Sequence, residues 1–205
     1  MTLKKQFKKT FSYTWYLYLI ALVVPCVAFP LAFSFMHRPQ EYEKLSIFLS
    51  TNVKENDFSN KIENDFKDKG VRAVDIVSYD PEDNEYLYLQ KLNVVGINKC
   101  DILIIPESMV STLNPKTSMI EFNVDIKAQC DVENEIFYNY DGLDYGVELT
   151  DKTPLLEYGL VKKTAKYYAF LGGKSWNAGE YSLKSPNTSN AFDLMRFIVG
   201  KWNER

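Results

Sequence analysis

Three rhythms of apolar and polar positions divide the chain. From Phe11 to Phe35, 25 residues pass without a charged side chain. Wound as a helix, that run reaches roughly 37 Å, enough to cross a hydrocarbon core of about 30 Å. It predicts a transmembrane helix over 11–35, with a basic segment 1–10 before it and a linker 36–43 after it. The alternatives are a cleaved signal peptide and a lipid anchor on Cys26, which the length of the run and Pro25 before the cysteine disfavour. Trp15, Tyr16 and Tyr18 fall where the aromatic belt of one interface sits, and Pro25 and Pro30 are expected to kink the span. No later run reaches spanning length, so 44–205 reads as one water-exposed α/β domain.

The second rhythm alternates short apolar runs with helical faces. Lys44 to Ser50 reads as a buried strand. Asn56 or Asp57 is placed to cap a helix whose Phe58, Ile62 and Phe66 share one face, and Gly70 ends it. Val71 to Val77 is a second strand, closed by the turn Asp80 to Asn84. Glu85 to Asn98 follows as a helix with Tyr86, Leu89 and Val94 turned inward. Asp101 to Ile105 is a near-continuous apolar strand that Pro106 stops. A helix in each crossover implies a parallel sheet.

The third rhythm is looser. Ser118 to Ala128 alternates like a strand, and Ile136 to Tyr140 with Tyr145 to Leu149 reads as a hairpin across Asp141-Gly142. Tyr167 to Leu171 is a further strand. Asn190 is placed to cap a final helix that packs through Phe192, Met195, Phe197 and Ile198.

Charge adds a direction. Lys4, Lys5, Lys8 and Lys9 precede the apolar run, and the 24 basic residues less these four leave 20 against 27 acids, a balance of −7. Lysines on one side predict a cytoplasmic N-terminus and an extracellular domain at the cell membrane. The acidic balance argues against nucleic acid as a partner. One histidine argues against a His-based metal centre or a Ser-His triad, three cysteines are too few for a disulfide scaffold, and the chain reads as non-enzymatic. Glu133-Asn134-Glu135 and Asp141 to Asp144 lack the spacing of a calcium loop, so no metal or cofactor is expected. Gly172-Gly173-Lys174-Ser175 lacks the first glycine of a phosphate loop. Cys100 and Cys130 are open to two readings, a disulfide or two buried thiols.

The strand-helix-strand-helix-strand start, with a third strand reading Cys100-Asp101-Ile102-Leu103-Ile104-Ile105-Pro106-Glu107-Ser108, resembles the first lobe of extracellular solute-binding proteins of ABC transporters. The strands at Tyr145-Gly146-Val147 and Tyr167-Tyr168-Ala169-Phe170 and the helix at Asn190 are similar to that family's second half. The resemblance implies a type II periplasmic-binding-like, three-layer α/β domain with a mainly parallel sheet and, at this length, an abbreviated second lobe. It implies a permease or another membrane protein as partner and a small polar solute such as a sugar as ligand.

Ligands of open parallel sheets gather beyond the carboxyl ends of the strands. Those loops carry Ser50, Thr51 and Asn52, then Tyr79 and Asp80, then Glu107 and Ser108: hydroxyls, an amide, acids and a ring suited to hydrogen-bonding a polar solute. Tyr145 and Trp176 add flat rings for stacking. Each polar residue has a plainer use as a turn cap, and each ring as a half-buried strand residue. The alternative function is a single-pass accessory subunit whose outer domain binds another protein and no small ligand.

Overall fold

The computed structural model describes residues 3–51, 57–184 and 188–202, with side chains from Trp15 onward. The chain forms two units, Met1–Arg38 and Pro39–Arg205. The first is one helix, α1 (Leu3–His37), unbroken through Pro25 and Pro30. Within it Trp15–His37, 23 residues, is long and apolar enough to cross a membrane.

The second unit is built on one six-stranded sheet in the order β2-β1-β3-β6-β5-β4. Strand β1 (Lys44–Leu49) leads to helix α2 (Phe58–Phe66), whose Phe58, Ile62 and Phe66 are buried at the expected spacing. Asp57 makes no side-chain cap there, and Asn56 lies outside the described residues. Gly70, at φ +81°, turns the chain into β2 (Ala73–Ser78), which lies parallel to β1. Helix α3 (Glu85–Lys91) starts where the Asn84 side chain accepts from Leu87 N, and it passes into a wider π turn over Leu92–Gly96. Strand β3 (Ile102–Pro106), buried throughout, returns parallel to β1 on its other side.

The second half departs from expectation twice. Met119 makes an isolated bridge to Gly172, but the segment after it is a helix, α4 (Val124–Cys130). Asn123 accepts from Ile126 N, and Ile126 and Cys130 bury one helical face, so cap and i,i+4 burial prevail over the alternation. The sheet is mixed rather than mainly parallel. Strands β4 (Phe137–Tyr140), β5 (Leu143–Glu148) and β6 (Tyr167–Leu171) are antiparallel to their neighbours, and β6 pairs directly with β3. The expected second lobe is therefore corrected: among the described residues these strands extend the first sheet. Their apolar side chains Val147, Ala169 and Leu171 share one core with Leu45, Ile47 and Ile104. Asp141 at φ +56° and Gly142 at φ +81° supply the tight hairpin between β4 and β5.

Helices cover both faces. α2, α4 and α5 (Asn190–Ile198) pack on one side. On the other, Tyr88 and Leu92 pack with Phe48, Leu103 and Ile105. Of the expected inner residues of α3, Leu89 packs against this core, whereas Tyr86 is 81% and Val94 57% exposed. Cys130 belongs to the first core and Cys100 to the second, so the sheet separates two free thiols. Burial pushes each thiol up to about 12.

Candidate functional site

After β1 the chain passes to the α2 face, and after β3 to the opposite face through Met109 and Val110. The β1/β3 boundary is thus the point where connections diverge, and a crevice is expected beyond its carboxyl ends. Ser50 sits there, its N–H donating to Ile104 O at 3.0 Å. Its hydroxyl pairs with the Tyr88 hydroxyl at 2.8 Å, and both residues are buried. Burial pushes the Tyr88 phenol up to about 12, against the smaller opposing effect of the Ser50 hydrogen bond. The phenol therefore stays neutral at physiological pH, able to donate or to accept.

Thr51 is buried beside Ser50, and Asn52 lies outside the described residues. From β2, Tyr79 stacks on Phe48 with centroids 6.5 Å apart, and the Lys91 ammonium lies 5.5 Å from its ring centre. Asp80 Oδ1 accepts from Glu82 N at 2.9 Å, and its side chain is only 10% exposed. Lys162, just before β6, comes within 3.6 Å of Asp80 Oδ2 and 2.7 Å of Glu82 Oε2. The Glu82 hydrogen bond and then the nearby acids hold the Lys162 ammonium above its ordinary pKa. Tyr167 is buried near Asp80 and Lys162, and its phenol is raised chiefly by burial. Glu107 and Ser108 are exposed past β3; Glu107 Oε1 lies 3.5 Å from the Tyr168 hydroxyl and 3.9 Å from Lys166 Nζ.

The structure thus gathers Ser50, Thr51, Tyr79, Asp80, Glu107 and Ser108 on the strand-end edge, and adds Tyr88, Lys162 and Tyr167. Two expected members lie elsewhere. Tyr145 is 4% exposed on β5, against Tyr140. Trp176 belongs to the opposite, amino edge. Both were grouped by residue type, and strand direction separates them.

The amino edge carries a fully buried carboxyl group. Asp101, 1% exposed, opens β3 with its carboxylate enclosed by donors. Oδ2 accepts from Ser46 N at 2.8 Å; Oδ1 accepts from Ser175 Oγ at 2.5 Å and Asn177 Nδ2 at 3.2 Å. Asn177 Nδ2 also donates to Lys44 O at 2.6 Å, and Thr188 Oγ1 donates to Asn177 Oδ1 at 3.0 Å. Burial still holds the Asp101 carboxyl above its ordinary pKa, because the hydrogen bonds offset the lost hydration only in part.

The Gly172-Gly173 pair has its role here. A Cβ on Gly172 would stand 2.2 Å from Cys100 O, and one on Gly173 2.9 Å from Ser118 O. Only glycine lets the loop close on β3 and deliver Ser175 to Asp101. Beside the network opens a cleft of about 230 Å³, lined by Lys44, Ser46, Asp75, Val95, Lys99 and Trp176 among others.

Among the described residues, no group of three or more His, Cys, Asp or Glu is placed to hold a metal ion. The strand-end edge offers hydroxyls, a carboxylate and an ammonium, which is a hydrogen-bonding chemistry. No protein-family model, curated protein or solved structure matches the chain.

Proposed function

We propose that this chain is a membrane-anchored, non-enzymatic binding subunit that takes a small polar solute, such as a sugar, at the strand-end edge and works beside a membrane permease of the ABC type. α1 is the anchor, with Lys4, Lys5, Lys8 and Lys9 on the cytoplasmic side and the α/β domain outside. The observation that carries the reading is the set of polar groups at the β1/β3 boundary: the Ser50, Tyr88 and Tyr167 hydroxyls, the Asp80 carboxylate and the Lys162 ammonium. Such a set exchanges hydrogen bonds with a polyhydroxy solute without bond making or breaking.

The test is a thermal-shift screen of the full chain in phosphatidylcholine nanodiscs against sugars, oligosaccharides, amino acids and Ca²⁺. A native-state ligand raises the midpoint by mass action. A concentration-dependent rise that Asp80→Asn or Tyr167→Phe removes is the expected result. Silence across the panel overturns the reading.

A second reading, an accessory subunit that only docks to another protein, has its own support. Among the described residues the domain has one sheet, and no second sheet stands across from its strand-end edge. Exposed apolar side chains also dot the domain, including Leu183 at 83% and Ile136 at 64%.

A further inference from the structure

We infer that the amino edge is a docking surface for a protein segment that carries an apolar side chain between acidic residues. The surface stands apart from the solute crevice, and the inference holds with either reading of that crevice.

Charge is the first argument. The chain past its first four lysines carries −7, yet this edge is lysine-rich. Lys44 is matched by Glu41 at 3.1 Å, and Asp101 is spent inside its own network. Of the lining residues, whose acids are Glu41, Asp75 and Asp101, this leaves Asp75 against Lys99. Lys174 and Lys184 lie outside the lining but reach Asn98, the chain neighbour of Lys99. Lys174 Nζ donates to Asn98 Oδ1 at 2.5 Å and Lys184 Nζ to Asn98 O at 2.9 Å, both neutral acceptors at the end of a helix. A local positive excess on an acidic domain selects an acidic partner and steers its approach.

Shape is the second. The cleft, at about 230 Å³, is smaller than the roughly 300–1,000 Å³ of ligand pockets and suits one anchoring side chain. Its wall includes Val95 and the Trp176 ring, over which Lys184 Nζ lies 6.0 Å from the centre. Leu183 and Val94, 83% and 57% exposed, are the chain neighbours of Lys184 and Val95. An anchor pocket, apolar neighbours and lysines are the parts of an interface with one buried hot spot.

The helix itself is the third. The π turn over Leu92–Gly96 leaves Val95 in the cleft wall and Val94 in solvent. Such turns are rare and recur at functional positions. Gly96 permits this one, since a Cβ there would stand 3.1 Å from Leu92 Cδ1 and 3.2 Å from the Phe48 ring.

The experiment uses the full chain in phosphatidylcholine nanodiscs and two fluorescein-labelled peptides, each with a Leu-Phe-Leu centre, one with acidic and one with basic ends. Fluorescence anisotropy is expected to show the acidic peptide binding at least about tenfold tighter. Lys99→Glu with Lys184→Glu is expected to weaken it by about tenfold or more, and Leu183→Ser, an exposed change, to weaken it too. Asp80→Asn at the far edge leaves peptide binding unchanged while it abolishes any solute shift, so the two proposals fail separately. Equal binding of both peptides, no binding, or indifference to both variants overturns the inference. Co-sedimentation with phosphatidylglycerol vesicles that the charge reversals abolish also overturns it, in favour of a lipid surface.

Discussion

The two edges of the same three parallel strands are built on opposite principles. At the carboxyl edge the polar groups are tied in small separate sets: Ser50 pairs with Tyr88, Asp80 holds Glu82 N and faces Lys162, and Glu107 and Ser108 are exposed. At the amino edge a single carboxyl group collects partners from two distant segments, Ser46 on β1 and the loop that holds Ser175 and Asn177. The first arrangement keeps polar side chains such as Glu107, Ser108 and Lys162 at the surface. The second spends them on holding the fold, and it leaves recognition to the lysines and apolar groups around it.

Removing the carboxylate separates the edges most strongly. Asp101→Ala strands the Ser46 N–H and the Ser175 and Asn177 donors in the interior, and urea unfolding should register a loss of roughly 3–5 kcal/mol. Asp80→Ala should cost under about 1 kcal/mol in the same assay. Acid sharpens the contrast. Because the folded-state pKa of Asp101 is raised, its stabilising contribution is full below the unfolded value and is lost as pH rises through the folded one. Wild type should therefore gain stability relative to Asp101→Asn as pH falls from 8 towards 4.

Backbone closure comes next. Gly172→Ala drives a methyl into Cys100 O and should cost roughly 3 kcal/mol, against about 1 kcal/mol for Gly70→Ala, where nothing lies within 4 Å of the new Cβ but φ is +81°. At the carboxyl edge, Tyr88→Phe leaves the Ser50 hydroxyl without its partner and should lower stability by about 1–2 kcal/mol. The smallest effect belongs to Lys162→Ala: an exposed ammonium is removed, and the unfolding midpoint should not move measurably, although solute binding should weaken.

The first half of the domain was readable because its signals are local. Strand runs, the face Phe58-Ile62-Phe66 and the stop at Gly70 each span only a few residues. Leu89 packs inward as expected, but Tyr88 rather than Tyr86 takes the inward position, and Val94 falls within the π turn, whose changed phase a fixed period of 3.6 does not register. Nothing local tells β4, β5 and β6 whether to found a second lobe or to extend the first sheet; that choice lies in the pairing of β6 with β3. The site divides in the same way. Ser50, Asp80 and Glu107 follow from the rule of strand ends, whereas Tyr88, Lys162 and Tyr167 reach that edge only through the folded path. Asp101 was noted only as the start of a strand. Its role depends on a loop 74 residues away.

The sheet that separates Cys100 from Cys130 also gives the domain two independent chemical reporters. Neither buried, protonated thiol can react with a maleimide until its own side of the sheet opens. In a single-cysteine background, labelling at Cys100 times the lifting of α3 and its π turn, and labelling at Cys130 times the release of α4. The order in which the two layers come apart can thus be read from native residues, with no probe added to the core.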